Sequence, residues 1–236
     1  MKKLILLTFI STFLIMSCSK DNSKNTMIVK GEIIGLKKGT LYLQKIEEGV
    51  LSTVDSIYLD GTANYSLTSK KNSGELYFLS LNKNSENTIP FFGDTGEISI
   101  HTQLDNFVLR AKISGSENQE ILDEYNKISS KFQNQNLDMI KDNFEAEKEK
   151  NQEKLEQLAE KSKQILRRKY LYTTNFAVHN KDSEVAPYIA LTQLADANIK
   201  LLDTINNSLT EEIKNSRYGK ELNSFIEKIK AATEDE

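Results

Sequence analysis

The sequence predicts an α+β protein: an antiparallel β-sandwich or partly open barrel that leads into a helical domain with one long helix. Two observations carry this. Nine of the ten glycines lie between Gly31 and Gly115, and none lies between Ser116 and Tyr218. Glycine punctuates turns and is disfavoured inside helices, so the imbalance sets a boundary near Gly115. The spacing of apolar residues also changes there, from alternation before Gly115 to steps of three and four after it. The expected organisation is a signal peptide over residues 1–17, a lipidated flexible tether over 18–26, an antiparallel β-domain over 27–115 and a helical domain over 116–236.

Lys2 and Lys3 form a short basic start, and Leu4 to Met16 is an apolar run broken only by Thr8, Ser11 and Thr12. Such a run is too short for a stable spanning helix and reads as the hydrophobic region of a signal peptide. It ends at Leu14-Ile15-Met16-Ser17-Cys18, with an aliphatic residue three before the cysteine and a small one just before it. That is the pattern of a bacterial lipobox, so Cys18 is the expected lipid attachment site and the membrane the first expected partner. Several acyl chains on one residue give firm anchoring, because each buried methylene contributes about 0.8 kcal/mol. Ser19 rather than Asp after the cysteine fits sorting to the outer membrane. The expected location is the cell envelope, with the membrane face left open.

Ser19 to Thr26 is small and polar and suits a tether. Strands are then expected over Ile28–Ile34, Thr40–Ile46, Leu51–Leu59, Ala63–Thr68, Gly74–Leu81, Thr88–Phe92, Glu97–Thr102 and Phe107–Ser114. Leu41 and Leu43 alternate with Tyr42 and Gln44, as Ile98 and Ile100 do with Glu97, Ser99 and His101. Asp60-Gly61 and Gly93-Asp94-Thr95-Gly96 are read as hairpin turns between the strands that flank them. After Gly115, Ser116 and Gln119 form a capping box for a helix carrying Ile121, Leu122, Tyr125 and Ile128. A long helix is expected from Leu137 to Val178, with Leu155, Leu158, Ala159, Ile165, Leu166 and Tyr170 on one face. Within it, Glu145 to Lys154 is either a solvated arm or the outer turn of a helical hairpin. Pro187 opens another helix, Asn207-Ser208 with Glu211 caps one over Leu209–Ser216, and Leu222, Phe225, Ile226 and Ile229 mark the last.

The segments Gly31 to Leu43, Val54-Asp55-Ser56, Asp60-Gly61, Ile89-Pro90-Phe91-Phe92, Ile113 to Ser116, Asn180 to Tyr188 and Asn215 to Lys220 together resemble an uncharacterised amino-terminal domain of envelope lipoproteins. In that family the domain usually precedes a thioredoxin-like module of the thiol-disulfide interchange type. The resemblance implies an envelope protein, but the Cys-x-x-Cys pair of such a module is not found in a sequence that reaches Glu236 with Cys18 as its single cysteine. Thiol-disulfide exchange needs an attacking thiolate and a resolving partner, and one acylated cysteine supplies neither.

Other chemistry is sparsely signalled. With residues 1–17 removed, 29 basic residues face 34 acidic ones, net −5, which points away from nucleic acid. His101 and His179 are expected at the surface, and neither sits in a ligand-like cluster, so no metal or cofactor is expected. Asp55, Asp60, Asp94 and Asp105 are candidates for a carboxylate group at one end of the sandwich, against the commoner role of capping loops. Tyr42, Tyr58, Tyr65, Tyr77, Phe78, Phe91 and Phe92 are weighed as a sugar or peptide platform against core packing, with core preferred. Ser130-Lys131 and Ser162-Lys163 are helix-surface pairs. Arg167-Arg168-Lys169 is a basic trio to which no function is assigned. The expected function is that of a lipid-anchored binding or scaffold protein, not an enzyme, with an envelope protein or a small ligand as partner. The alternative is an accessory to a separate thioredoxin-like lipoprotein.

Overall fold

A computed structural model describes residues 25–70, 74–83 and 87–234. The signal peptide, the lipid attachment at Cys18 and most of the tether lie outside the described residues. Eight strands come first: β1 (Thr26–Ile34), β2 (Lys38–Glu47), β3 (Val50–Asp60), β4 (Asn64–Lys70), β5 (Glu75–Ser80), β6 (Thr88–Gly93), β7 (Gly96–Gln103) and β8 (Lys112–Ser114). Six helices follow: α1 (Glu117–Lys148), α2 (Gln152–His179), α3 (Val185–Gln193), α4 (Ile199–Ser208), α5 (Glu211–Asn215) and α6 (Arg217–Glu234).

The strands form two four-stranded sheets in the orders β4-β1-β7-β8 and β3-β2-β5-β6, packed face to face as a sandwich. Their inner faces share one core, in which Val29, Leu41, Leu43, Tyr77, Ile98 and Ile100 are fully buried. The alternation at Leu41/Leu43 and Ile98/Ile100 is therefore realised as expected. Gln44 departs from it. The register between β2 and β3 shifts at Leu43/Gln44, and this bulge turns Gln44 inward, where its amide donates to the Lys83 carbonyl at 3.0 Å.

Both expected hairpins are corrected. The Asp60-Gly61 turn has Gly61 at φ 77°, but β3 pairs with β2 while β4 pairs with β1, so the chain crosses between sheets there. The Gly93 to Gly96 segment likewise carries the chain from β6 in one sheet to β7 in the other. The tight hairpin is instead at Glu48-Gly49, where both residues have positive φ (52° and 80°) between paired Glu47 and Val50. That geometry matches the right-handed twist of the two strands. The last strand is also shorter than expected: residues 104–110 form turns around Asn106 at φ 68°, and β8 begins only at Lys112.

The sheets are not wholly antiparallel, because β1 and β7 run parallel. Their ladder skips at Gly31, where a Cβ atom would lie 1.9 Å from the Ile100 carbonyl oxygen. The Tyr65 hydroxyl donates to that same oxygen at 2.8 Å, so the interruption leaves no stranded acceptor.

The expected helix from Leu137 to Val178 is two helices. The α1 helix ends at Lys148 and α2 starts at Gln152 after a turn in which Lys150 takes φ 55°. The Asn151 N–H donates to the Ala146 carbonyl and Lys150 N–H to Glu147, a left-handed helix stop of the Schellman kind. Asn151 then caps α2 by accepting from Lys154 N–H. The polar Glu145–Lys154 segment is thus the outer turn of a hairpin whose far half packs on Met139, Ala146, Leu158 and Ile165. Further back, α2 joins α3, α4 and α6 around a second core containing Ala177, Ile189, Leu202, Leu222 and Ile226. Helix α4, which the sequence reading passed over, ends at Asn207-Ser208, and Thr210 caps α5.

Replacing Gly31 by Ala is expected to destabilise the protein by about 2 kcal/mol or more, because the ladder must open to admit the methyl group. Urea unfolding checks this; a change under about 0.5 kcal/mol, the scale of an ordinary surface substitution, contradicts it.

Candidate binding cleft at the sheet and helix junction

The sandwich and the helices meet along one edge of the second sheet, and the contact is made of backbone donors that the sheet leaves over. Strand β2 pairs with β5 only as far as Lys45↔Tyr77, and β6 is an edge strand. Side chains from the helical part meet the donors beyond. Gly74 N–H donates to Glu184 at 2.6 Å, Leu76 N–H to the Tyr218 hydroxyl at 3.1 Å and Phe92 N–H to the Gln119 carbonyl at 2.7 Å. Phe92 itself belongs to the helical core and packs against Tyr188 and Tyr218, with ring centroids 5.6 and 5.9 Å away.

Asp94 sits at the same junction. Its carboxylate accepts from Ser116 Oγ, Asn118 N–H and Asn118 Nδ2, clamping the first turn of α1 onto the β6 to β7 crossing. Ser116 Oγ in turn accepts from Gln119 N–H. The reciprocal arm of the expected capping box is missing, because the Gln119 side chain is committed to Phe92. Asn118 also reaches Glu184 at 3.1 Å and accepts from Ser183 Oγ at 2.6 Å.

Beside this network opens a cleft of about 1330 Å³, walled by the β2–β3 hairpin on one side and by α5 and the start of α6 on the other. Its floor is Glu75, a carboxylate only 8% exposed. One Glu75 oxygen takes Lys45 Nζ at 3.3 Å and the other takes Arg217 Nη1 at 2.8 Å. Arg217 also pairs with Glu221 at 2.9 Å and donates to the Ile46 carbonyl at 2.8 Å, tying α6 to β2. Burial opposes the charge on Lys45, but Glu47 and Glu75 outweigh it and hold its pKa above the ordinary lysine value. Burial likewise opposes the charge on Arg217, and Glu221 and Glu75 outweigh it. Burial pushes the Tyr218 phenol up to about 12. The rim carries the exposed charges Glu48, Glu212 and Lys220, which can meet a ligand's polar groups, and the apolar Val50.

The candidates named from the sequence lie elsewhere. Cys18 is outside the described residues. Asp55 accepts from Ser56 N–H and Thr68 N–H, bracing β3 against β4; Asp60 pairs with Lys38; Asp94 caps α1. Asp105 is exposed in the turn that follows β7. The other three carboxylates each have their own structural partners, and the four form no shared centre. Among the described residues, no group of three or more His, Cys, Asp or Glu side chains is placed to hold a metal ion. His101 and His179 are exposed, as expected. The aromatic set divides: Tyr65, Tyr77, Phe91 and Phe92 are buried, Tyr42 and Phe78 half-buried and Tyr58 exposed, so no common platform forms. Sequence reasoning missed Glu75 altogether and gave no role to Arg217 and Glu184, which lie in resembling segments 142 and 109 residues from Glu75 along the chain.

Fold and site together define an α+β protein with a polar, preorganised cleft between its two parts. Residues 27–122 match a family described as a domain of unknown function (DUF4369). The match runs past Gly115 through the first turns of α1, the stretch in which Ser116, Asn118 and Gln119 are bound into the sandwich. No curated protein and no solved structure matches the chain.

Removing the Glu75 carboxylate while leaving both cations, as in Glu75→Ala, is expected to cost about 1–3 kcal/mol, reduced from the fully buried case because Lys45 and Arg217 reach solvent. Chemical denaturation measures it, and an unchanged midpoint counts against the cluster as the cleft's floor. Tyr218 gives a second test. Its folded pKa lies above the unfolded value near 10, so its contribution is intact below pH 10 and is lost as pH rises towards 12. Tyr218→Phe is expected to flatten the fall in thermal stability between pH 10 and 12; an identical alkaline limb in both proteins contradicts this.

Proposed function

We propose that this protein is tethered to the cell envelope by acyl groups on Cys18 and acts there by binding, without chemistry of its own. The observation that carries the reading is the cleft. Its walls come from both parts of the molecule, and its central carboxylate already has both oxygens engaged by Lys45 and Arg217. Such an arrangement fixes a shape and a charge pattern in advance and so lowers the ordering cost of recognition. The lipobox and the resemblance to envelope lipoproteins support the location. No helix among the described residues is long and apolar enough to cross a membrane, which accords with attachment through the amino terminus.

Six acids (Glu47, Glu48, Glu75, Glu184, Glu212, Glu221) and three bases (Lys45, Arg217, Lys220) line the cleft, so a segment of net positive charge is the complementary occupant. Affinity copurification from detergent-solubilised envelope tests the reading. Wild-type protein is expected to recover a specific partner that is lost when Val50, 65% exposed on the hairpin wall, and Glu212 are replaced by arginine. Repeated recovery of no specific partner, or one indifferent to these changes, overturns the proposal.

A further inference from the structure

Helix α1 leaves Leu137, Ile140 and Phe144 exposed at 64, 67 and 68%, and their steps of three and four put them on one side of the helix. Lys141 and Lys148 follow Leu137 and Phe144 by four residues and so flank the same side. Asp138 and Asp142 stand two residues either side of Ile140 and fall across the helix from it, while Glu147, three residues after Phe144, is an acid on the same side.

On α2, Lys163, Leu166, Arg167, Tyr170 and Leu171 line a shallow, mainly apolar groove of about 440 Å³, closed by Lys200 and Leu201 of α4. The two features share a flank of the hairpin. Met139 and Ile165 are seam residues, and Ile140 and Leu166 each follow one of them by a single position. In an antiparallel pair, positions one step past the seam on each helix open on the same side. The Gln135–Arg168 hydrogen bond and the Phe132–Tyr172 ring contact set Leu137 and Leu166 at the same height.

We infer that this flank of the α1–α2 hairpin lies on the surface of an anionic lipid bilayer. The argument is one of composition and charge. The flank combines large exposed apolar side chains with five exposed cations, Lys141, Lys148, Lys163, Arg167 and Lys200, in a chain whose formal net charge is −3. Among the described residues, the side chains of Lys141, Lys148, Arg167 and Lys200 form no ion pair, and Lys163 has only a 3.9 Å contact with Glu160. The apolar residues are spread along two helices in a shallow raft, with cations between and around them, rather than gathered in a deep pocket. An amphipathic surface with apolar centre and basic margins rests in the headgroup region, its apolar side chains entering the acyl boundary and its cations meeting phosphates. The surface is separate from the cleft and independent of what the cleft takes.

The sequence has no tryptophan, so Phe144→Trp in the full chain installs a single indole reporter on this flank, toward the tip of the hairpin. With phosphatidylglycerol vesicles its emission is expected to move to shorter wavelength, and raising the salt is expected to reverse the shift. With phosphatidylcholine vesicles, which the acyl anchor enters equally well, the emission is expected to stay at its value in buffer. Adding Lys163→Glu, Arg167→Glu and Lys200→Glu is expected to abolish the shift while thermal melting is retained. Unchanged emission with phosphatidylglycerol, or an equal shift with both lipids, overturns the inference. A shift that grows with protein concentration alone assigns the flank to a second copy of the chain and also overturns it. Failure here leaves partner recovery through the cleft untouched, so the two readings fail separately.

Discussion

The structure depends on how the open edge of the second sheet is closed. An uncovered sheet edge presents unpaired N–H groups that invite pairing with another chain, and burying it without partners is costly. Here helical side chains act as the missing strand. Glu184, Tyr218 and Gln119 accept from Gly74, Leu76 and Phe92, while the Phe92 ring crosses into the helical core. This single seam couples the cores of the sandwich and the helices, orders the start of α1 through Asp94 and sets α6 against the β2–β3 hairpin. The cleft is a by-product of that docking, since its walls come from the elements held on either side of the seam.

The Glu75 cluster shows how the seam handles charge. A carboxylate 8% exposed is costly to bury alone, but Lys45 and Arg217 share the task, and both cations keep contact with solvent. The arrangement fixes the geometry between β2 and α6 through groups whose directions are set by the fold. Aromatic contacts among Phe92, Tyr188 and Tyr218 supply the apolar part of the same joint.

Where local pattern and tertiary structure agree, the fold was legible. Leu41 and Leu43, or Ile98 and Ile100, announce their strands because a two-residue period has one meaning at any length. Turns were legible as turns but not as connections: Asp60-Gly61 has the positive φ expected of it, yet nothing local says that its flanking strands join different sheets. The break after Lys148 was hidden for the opposite reason. A left-handed helix stop usually carries glycine, and here a lysine occupies it among Glu, Lys and Gln residues that favour helix, with Asn151 the one local signal of a new start. The cleft was the least legible part, because Glu75, Glu184 and Arg217 come together only through the docking of distant elements. Asp94 was weighed from sequence as an acid in a carboxylate group against the commoner capping role, and capping is what its oxygens do, at the first turn of α1.

The turn at Lys150 also gives the molecule a length scale. Thirty-two residues of α1 extend about 48 Å from a base gripped by Asp94 and Gln119. The hairpin is held along its near half, where α2 packs on α3 and α4, so only its far half projects as an arm. The set of that arm rests on its own seam of Met139, Ala146, Leu158 and Ile165, so the tip is positioned by packing within the hairpin rather than by the cleft.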